Sequence, residues 1–435
     1  MTNEALHGQV RSTLVNPATR RYVLGVLVIV YTFNFIDRQI LAILLPSIKA
    51  EFGVNDTVLG FLAGPAFAVF YATLGVPIAL IADRWNRRNL IAIALAVWSG
   101  MTALSGLALN VTQLALARIG VGVGEAGCSP PAHSMISDYY PPEKRSAAMG
   151  IYTAGISIGI MIAFLVGGWV AQNIGWRQAF FIVGVPGLIL SLVVRFTIRE
   201  PARGLSENRA DSAERPGIVQ VAKILLRRKS FIHMAIGSGL AAFGGYAVIS
   251  FFPSYLNRSH GMDAAEIGIY LGVILGVAGS LGFAGGGYFA DHIGKVNRSR
   301  SLNGVAIATI ISWLFMVPVY LVSNAYVALA IFAVPAVLSN FYLATTIAQT
   351  QSLVGLRMRA VASALLFFIL NIIGLGLGPQ VAGTLSHLMT ESFGIESMRY
   401  SLLTITAIIS PWSAFHYFIA ARHIEPDLEL AKAEG

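Results

Sequence analysis

Four ionisable side chains lie in stretches where water should be scarce. Arg118 and Glu125 fall within LALARIGVGVGEAGCSPP, residues 114–131, and Asp37 and Arg38 within VYTFNFIDRQILAILL, residues 30–45. Both stretches are otherwise apolar, over a length that reaches across a bilayer. A charge at the centre of the hydrocarbon slab costs about 2.5–3.5 kcal/mol on insertion scales, so charges retained there face protein or water and mark a path for ions or substrate. Arg118 and Glu125 are 7 residues apart. That is nearly two helical turns, placing both on one helix face roughly 10 Å apart.

The chemistry follows from the residue types. In an apolar, part-hydrated cavity, loss of water favours a neutral carboxylic acid, whereas a neighbouring guanidinium favours the carboxylate. A carboxyl group near Arg can therefore gain or lose its proton as its surroundings change. Arginine keeps its proton throughout and serves as a carboxylate's partner or as the ligand of an anionic substrate group. Asp37 and Glu125 are thus the proton-coupling candidates, and Arg118 is the charge partner or anion-binding group. Arg38 is a second such group, about 100° around the helix from Asp37. Static ion pairs tying two helices together are the competing account, but apolar packing would hold the helices without desolvating charge.

The elements that must position these groups are legible from composition. Of 435 residues, 56% are hydrophobic and only 12% charged, about half the charged share of a soluble domain. Apolar runs long enough to span recur from Tyr22 to Ala421, at 22–45, 57–80, 89–108, 112–133, 147–171, 178–196, 230–256, 264–290, 299–321, 325–349, 358–384 and 398–421. These predict an all-α, multi-pass membrane protein of twelve transmembrane helices. Residues 1–19 are polar and lead straight into a full span, without a signal peptide's short apolar region. Cys128 is the single cysteine, so no intramolecular disulfide is expected.

The net charge of +9 is explained by topology better than by nucleic acid. The loop lysines and arginines gather on one face, leaving Lys49, Arg177, Arg258 and Arg399 on the other. The positive-inside rule then puts both termini in the cytoplasm and the chain in a plasma membrane, the inner membrane in a bacterium. The longest connection, 197–229, divides the spans six and six, giving bundles over 1–196 and 230–435. Within it, IVQVAKILLRR reads equally as a solvated connector and as a short amphipathic helix on the anionic inner leaflet. Short stretches recur between the halves: ADRWNRRN against ADHIGKVN, and EKRSAAMG against RMRAVASA. Two pseudo-symmetric six-helix bundles, with a site at their interface near the midplane, are the expected architecture.

The segment ALIADRWNRR, residues 79–88, and its counterpart GGYFADHIGK, ending at Lys295, resemble the cytoplasmic loop motif G-x-x-x-D-R-x-G-R-R of the major facilitator superfamily. The first copy has Ala79 and Asn86 where glycines are expected; the second keeps Gly287 and Gly294. The resemblance implies that Asp83, Arg84, Arg87 and Arg88, with Asp291 and Lys295, form a cytoplasmic gate between the halves. RIGVGVGEAG followed by two prolines, DRWNRR, and FIDRQIL look most like the spinster branch. GISIGIMIAFLVGG in the fifth span lacks the Gly-Pro pair of drug antiporters. The branch resemblance implies proton-coupled alternating access and a lysophospholipid- or sphingoid-phosphate-like amphiphile. A sugar acid is the alternative substrate, since two buried arginines suit any carboxylate. A transporter-like receptor that binds without transporting is the alternative class.

Other readings are set aside on the residues. The GVGVG run lies inside a span and suits close helix packing, not a nucleotide loop. No G-x-x-x-x-G-K-[ST] occurs, so ATP driving is not encoded. His133 and His233 lack neighbours at metal spacing and read as satisfied polar residues. No span carries a nucleophile–base pair or a metal cluster, so neither an enzyme nor a cofactor is expected. The second half keeps acidic residues out of its span interiors, and Phe243, Tyr246, Asn340, Tyr342, Gln349 and Asn371 are its candidate cavity groups. The expected partners are a small amphiphilic or anionic substrate, protons and membrane lipids, with no nucleic acid, and the chain is expected to act as a monomer.

Overall fold

The computed structural model describes residues 16–82, 84–202, 217–355 and 358–434. The first half holds α1 (Pro17–Phe52), α2 (Asp56–Ala63), α3 (Pro65–Ala82), α4 (Arg87–Ser105), α5 (Val111–Glu125), α6 (Ser129–Tyr139), α7 (Pro142–Asn173) and α8 (Trp176–Thr197). A short α9 (Ile218–Leu226) leads into α10 (Lys229–His260), α11 (Ala264–Val273), α12 (Gly279–Val296), α13 (Arg298–Leu321), α14 (Ala325–Leu338) and α15 (Phe341–Ser352). The chain finishes with α16 (Arg359–Ile369), α17 (Gly378–Leu388), α18 (Thr390–Phe393) and α19 (Ser397–Glu434). Single π-helical stretches, Ile274–Ala278 and Leu370–Leu377, join α11 to α12 and α16 to α17.

These elements make twelve crossings. Among the described residues, 11 segments are long and apolar enough to span by themselves. The fourth crossing, α5 with α6, falls short because it is broken at Ala126–Cys128. The cause is local: Pro130 and Pro131 supply no N–H to the preceding turn, so the helix restarts with prolines in its first turn. Asn16, Asn55, Asn86, Asn110, Asn297 and Asn324 each accept a backbone N–H at a helix start. Asn86, which stands where the family motif has glycine, therefore has a physical role as the cap of α4.

An even number of crossings puts residues 17 and 434 on one face. The last helix continues 13 residues past the expected boundary at 421, to Glu434. Its extension braces the second half: Asp427 accepts from the Ser230 amide at 2.8 Å and from its hydroxyl at 2.6 Å, capping α10. Asp427→Ala leaves that helix start uncapped in a buried setting and should cost about 1–3 kcal/mol. A lowered thermal midpoint in detergent is the expected result, and an unchanged midpoint would remove the brace from the account.

On the face away from the termini the halves touch without side chains between them. A Cβ on Gly60 of α2 would lie 2.6 Å from the Pro379 carbonyl of α17, and one on Gly64 would lie 2.5 Å from that of Gly376. Gly168 of α7 and Gly268 of α11 meet in the same manner. Small residues allow this backbone approach, which is how helices associate in lipid.

Candidate functional site

Asp37, Arg38 and Gln39 on α1 converge with Arg118 and Glu125 on α5 and with Phe67 and Tyr71 on α3. All four charged groups are buried. Arg38 donates to Glu125 Oε2 from Nη2 at 2.6 Å and from Nε at 3.1 Å. The other carboxylate oxygen, Oε1, has no hydrogen-bond partner among the described residues. Three rings enclose the Arg38 guanidinium: Phe35 and Phe67 at 5.0 Å and Tyr71 at 4.7 Å. Such cation–π contacts contribute about 0.5–2 kcal/mol each where water is excluded. Arg38 thus faces inward and is the ion-pair partner of Glu125.

Arg118 is placed differently. Its Nη1 donates to the backbone carbonyl of Asp37 at 3.2 Å, while its Nε has no partner among the described residues although Arg118 is 2% exposed. Its guanidinium lies 5.4 Å from the centroid of Phe67, so one ring contacts both arginines. The Asp37 carboxylate is fully buried beside Thr102 and Trp98 of α4. Among the described residues neither of its oxygens makes a hydrogen bond of ordinary geometry, and the Thr102 hydroxyl and Trp98 indole N–H beside it are unsatisfied as well. Unmet buried polar groups are rare in a folded interior and call for a functional account. Here an unmet cation and an unmet carboxyl stand on adjacent helices.

Arg38, Gln39, Phe67, Arg118, Tyr246 and Ser250 line a cavity of about 10 Å³. That is room for about one water, so any substrate needs the halves to move apart. Of the expected second-half groups, Tyr246 reaches this cavity. Phe243 is packed in the core, and Tyr342 packs partly buried against the second-half cluster. Gln349 donates to Ser301 at 3.0 Å. Asn340 turns to the Ala336 carbonyl, and Asn371 lies on the Leu370–Leu377 stretch. Sequence reasoning missed Phe67 and Ser250, which carry no charge and no motif, and Gln39, for which adjacency to Arg38 was the available signal. It also missed the partner of His233, His416, whose Nδ1 lies 2.8 Å away.

The loop arginines on the termini face bind within the first half. Arg87 is buried and donates to Ser134, Asp138, Glu200 and the Pro201 carbonyl. Arg88 reaches Glu200 through its amide, and Asn89 and the Ile198 carbonyl through its side chain. Arg84 is exposed. Asp83 lies outside the described residues, as do the side chains of Asp291 and Lys295.

On the opposite face an ionic cluster joins the halves, and sequence reasoning did not anticipate it. Asp56, at the start of α2, is 1% exposed and accepts from both Arg258 Nη atoms at 2.6 and 2.7 Å. Lys49 Nζ and Ser386 Oγ each donate to it at 2.7 Å. Three helices from two halves thus converge on one carboxylate with α2, and the paired Arg fork gives the contact its geometry. Gln380 reaches the Thr57 carbonyl, Asn55 meets His387, and Gln172 accepts from the Ala264 amide on the same face. Lys49 and Arg258 had figured only as sparse bases in the topology count.

Comparisons with known proteins agree with this architecture. The family profile of the Major Facilitator Superfamily matches residues 27–379. An MFS-type efflux pump of Mycolicibacterium smegmatis is 31% identical over 408 residues, 93% of each chain. A hexuronate transporter of Bacillus subtilis is 25% identical over 357 residues, 80% of this chain and 84% of that one. Among solved structures, a bacterial homologue of the human lysosomal transporter Spinster, inward-facing and unoccupied, superposes with a TM-score of 0.86 at 31% identity, covering 95% of this chain and 99% of that one.

Proposed function

The chain belongs to the Major Facilitator Superfamily and is a membrane transporter, and from that premise we propose that it is a secondary active, proton-coupled carrier of an organic anion, working by alternating access. One observation carries the reading: among the described residues Arg118 is buried with an unpartnered Nε, near an Asp37 carboxyl that no cation pairs. A guanidinium so placed suits a bidentate carboxylate or phosphate group. The substrate class we favour is a lysophospholipid- or sphingoid-phosphate-like amphiphile, in keeping with the likeness to the Spinster homologue. A sugar acid is the second reading, favoured by the likeness to the hexuronate transporter.

With both termini in the cytoplasm, as the loop charges favour, the Asp56 cluster is the outer closure. Protonation of Glu125 removes the charge that holds Arg38, and protonation of Asp37 removes a nearby negative charge that competes with a substrate anion for Arg118. Release of Asp56 from Arg258 then opens the outer face. The loop bearing Asp83, Arg84, Arg87 and Arg88, with Asp291 and Lys295, closes the inner one. The carrier catalyses no reaction and acts as a monomer.

The test is binding of a fluorescent lysophosphatidate by the reconstituted protein, with D-glucuronate as competitor. Removing one partner of a buried charged contact costs about 2–5 kcal/mol, so Arg118→Ala should weaken binding of the true substrate at least thirtyfold. Displacement by glucuronate at comparable concentration supports the sugar-acid reading. Unchanged affinity in Arg118→Ala would remove Arg118 as the anion site, and saturable binding without counterflow in sealed vesicles would mark a receptor.

A further inference from the structure

The helix α9 is anchored by one face and leaves the other open. Val221 and Leu225, one turn apart, are fully buried in a cluster with Phe231, Ala362 and Leu366. Away from that face Val219 and Leu226 are exposed, at 68% and 61%. Lys223 and Arg227, four residues apart and both exposed, lie with Val219, Gln220 and Ile224 along one open groove. At helical spacing, Val219, Lys223 and Arg227 form one stripe. Apolar side chains this exposed beside two cations do not suit a helix surrounded by water.

Position in the chain says what covers this face. Only Arg227 and Arg228 separate α9 from α10, which crosses the membrane. The groove therefore sits near the level of the bilayer surface on the face of the termini. No Asp or Glu occurs between residues 217 and 262, and nearby Asp427 is engaged by Ser230. The helix itself thus carries only positive charge, against a surface that carries phosphates. We propose that this groove is a binding site for an anionic phospholipid, with Lys223 and Arg227 holding the headgroup phosphate and Val219, together with the exposed Leu226 that borders the groove seven residues on, against the upper acyl chain. A soluble phosphate ester would use the two bases and leave the apolar residues uncovered.

The buried face gives the site a route to the transport cavity. Ala362 and Leu366 lie on α16, which runs directly into the Leu370–Leu377 stretch, and Leu375 of that stretch lines the Arg38 cavity. A lipid held on α9 thus loads the crossing that borders the site.

Native mass spectrometry of the full chain in detergent tests this, with phosphatidylglycerol, phosphatidylcholine and glycerol 3-phosphate as probes. The parent should retain phosphatidylglycerol over phosphatidylcholine by roughly tenfold or more, as two bases near a headgroup imply. Lys223→Gln with Arg227→Gln should erase that preference. Val219→Ser with Leu226→Ser should weaken retention of both lipids while keeping the preference. These side chains are exposed, so an unchanged thermal midpoint in each variant is expected and confirms that the effect is local. Equal retention of the two lipids by the parent, or an undiminished preference in the double Gln variant, would overturn the proposal. Displacement of phosphatidylglycerol by glycerol 3-phosphate would show a soluble-phosphate site and would overturn it equally.

Discussion

Glu125→Gln combined with Asp37→Asn should flatten the response of the conformational equilibrium to pH. In the described state the Glu125 carboxyl receives two N–H groups from Arg38 on one oxygen, an arrangement that the charged form strengthens. As pH falls and the carboxyl group takes up a proton, that attraction is lost and the population should leave this state. The Gln variant carries the neutral form at every pH, so it should sit in the low-pH distribution throughout. Breaking a buried ion pair from one side costs about 3–5 kcal/mol, and the three rings around Arg38 offset only part of it. A shift of that size is enough to invert a two-state population. Double electron–electron resonance distances across the termini face, at pH 5 and pH 8, report the change. Distances in the double variant that move with pH as in the parent would refute the assignment.

The second large effect is expected on the opposite face. Asp56→Asn removes the charge on which Arg258, Lys49 and Ser386 converge. Two cations then share a neutral amide in a place that is 1% exposed, and like charges at this distance repel. The expected cost to the closed face is again about 3–5 kcal/mol. Distances between labels flanking Asn55 and His387 should lengthen in the variant. Arg258→Ala should lengthen them too, and the double variant should do little more than either single, since both act on one contact. Unchanged distances in Asp56→Asn would mean that the glycine contacts between α2 and α17 and between α7 and α11 hold the face without the ionic cluster.

Much of the fold was legible because lipid imposes a simple rule. A crossing must be a helix of about 20 apolar residues, and the expected spans coincide with observed helices. The fourth crossing shows the limit: hydropathy reads 112–133 as continuous, but the Pro130–Pro131 pair breaks its hydrogen-bond ladder. The four buried charges were legible because each violates the apolar rule. Their pairing was not, because hydropathy does not give the rotation of α1 against α5, and rotation decides that Glu125 takes Arg38 while Arg118 binds a backbone carbonyl. The Asp56 cluster was invisible for another reason. Lys49, Asp56 and Arg258 lie at span ends, where charges are ordinary, and only the approach of the halves makes them partners. The extension of the last helix was missed because its polar residues read as solvent-exposed tail, whereas Asp427 turns inward to cap α10.

The central claim is that protons and an anion pass the Asp37–Arg38–Arg118–Glu125 cluster together. Internal pH of sealed proteoliposomes, followed with a trapped pH dye on adding lysophosphatidate or D-glucuronate, tests it most directly. The account predicts a pH change with one of these probes in the parent, and none in the Asp37→Asn, Glu125→Gln variant. Probe movement without any pH change in the parent, or an equal pH change in the variant, would contradict it.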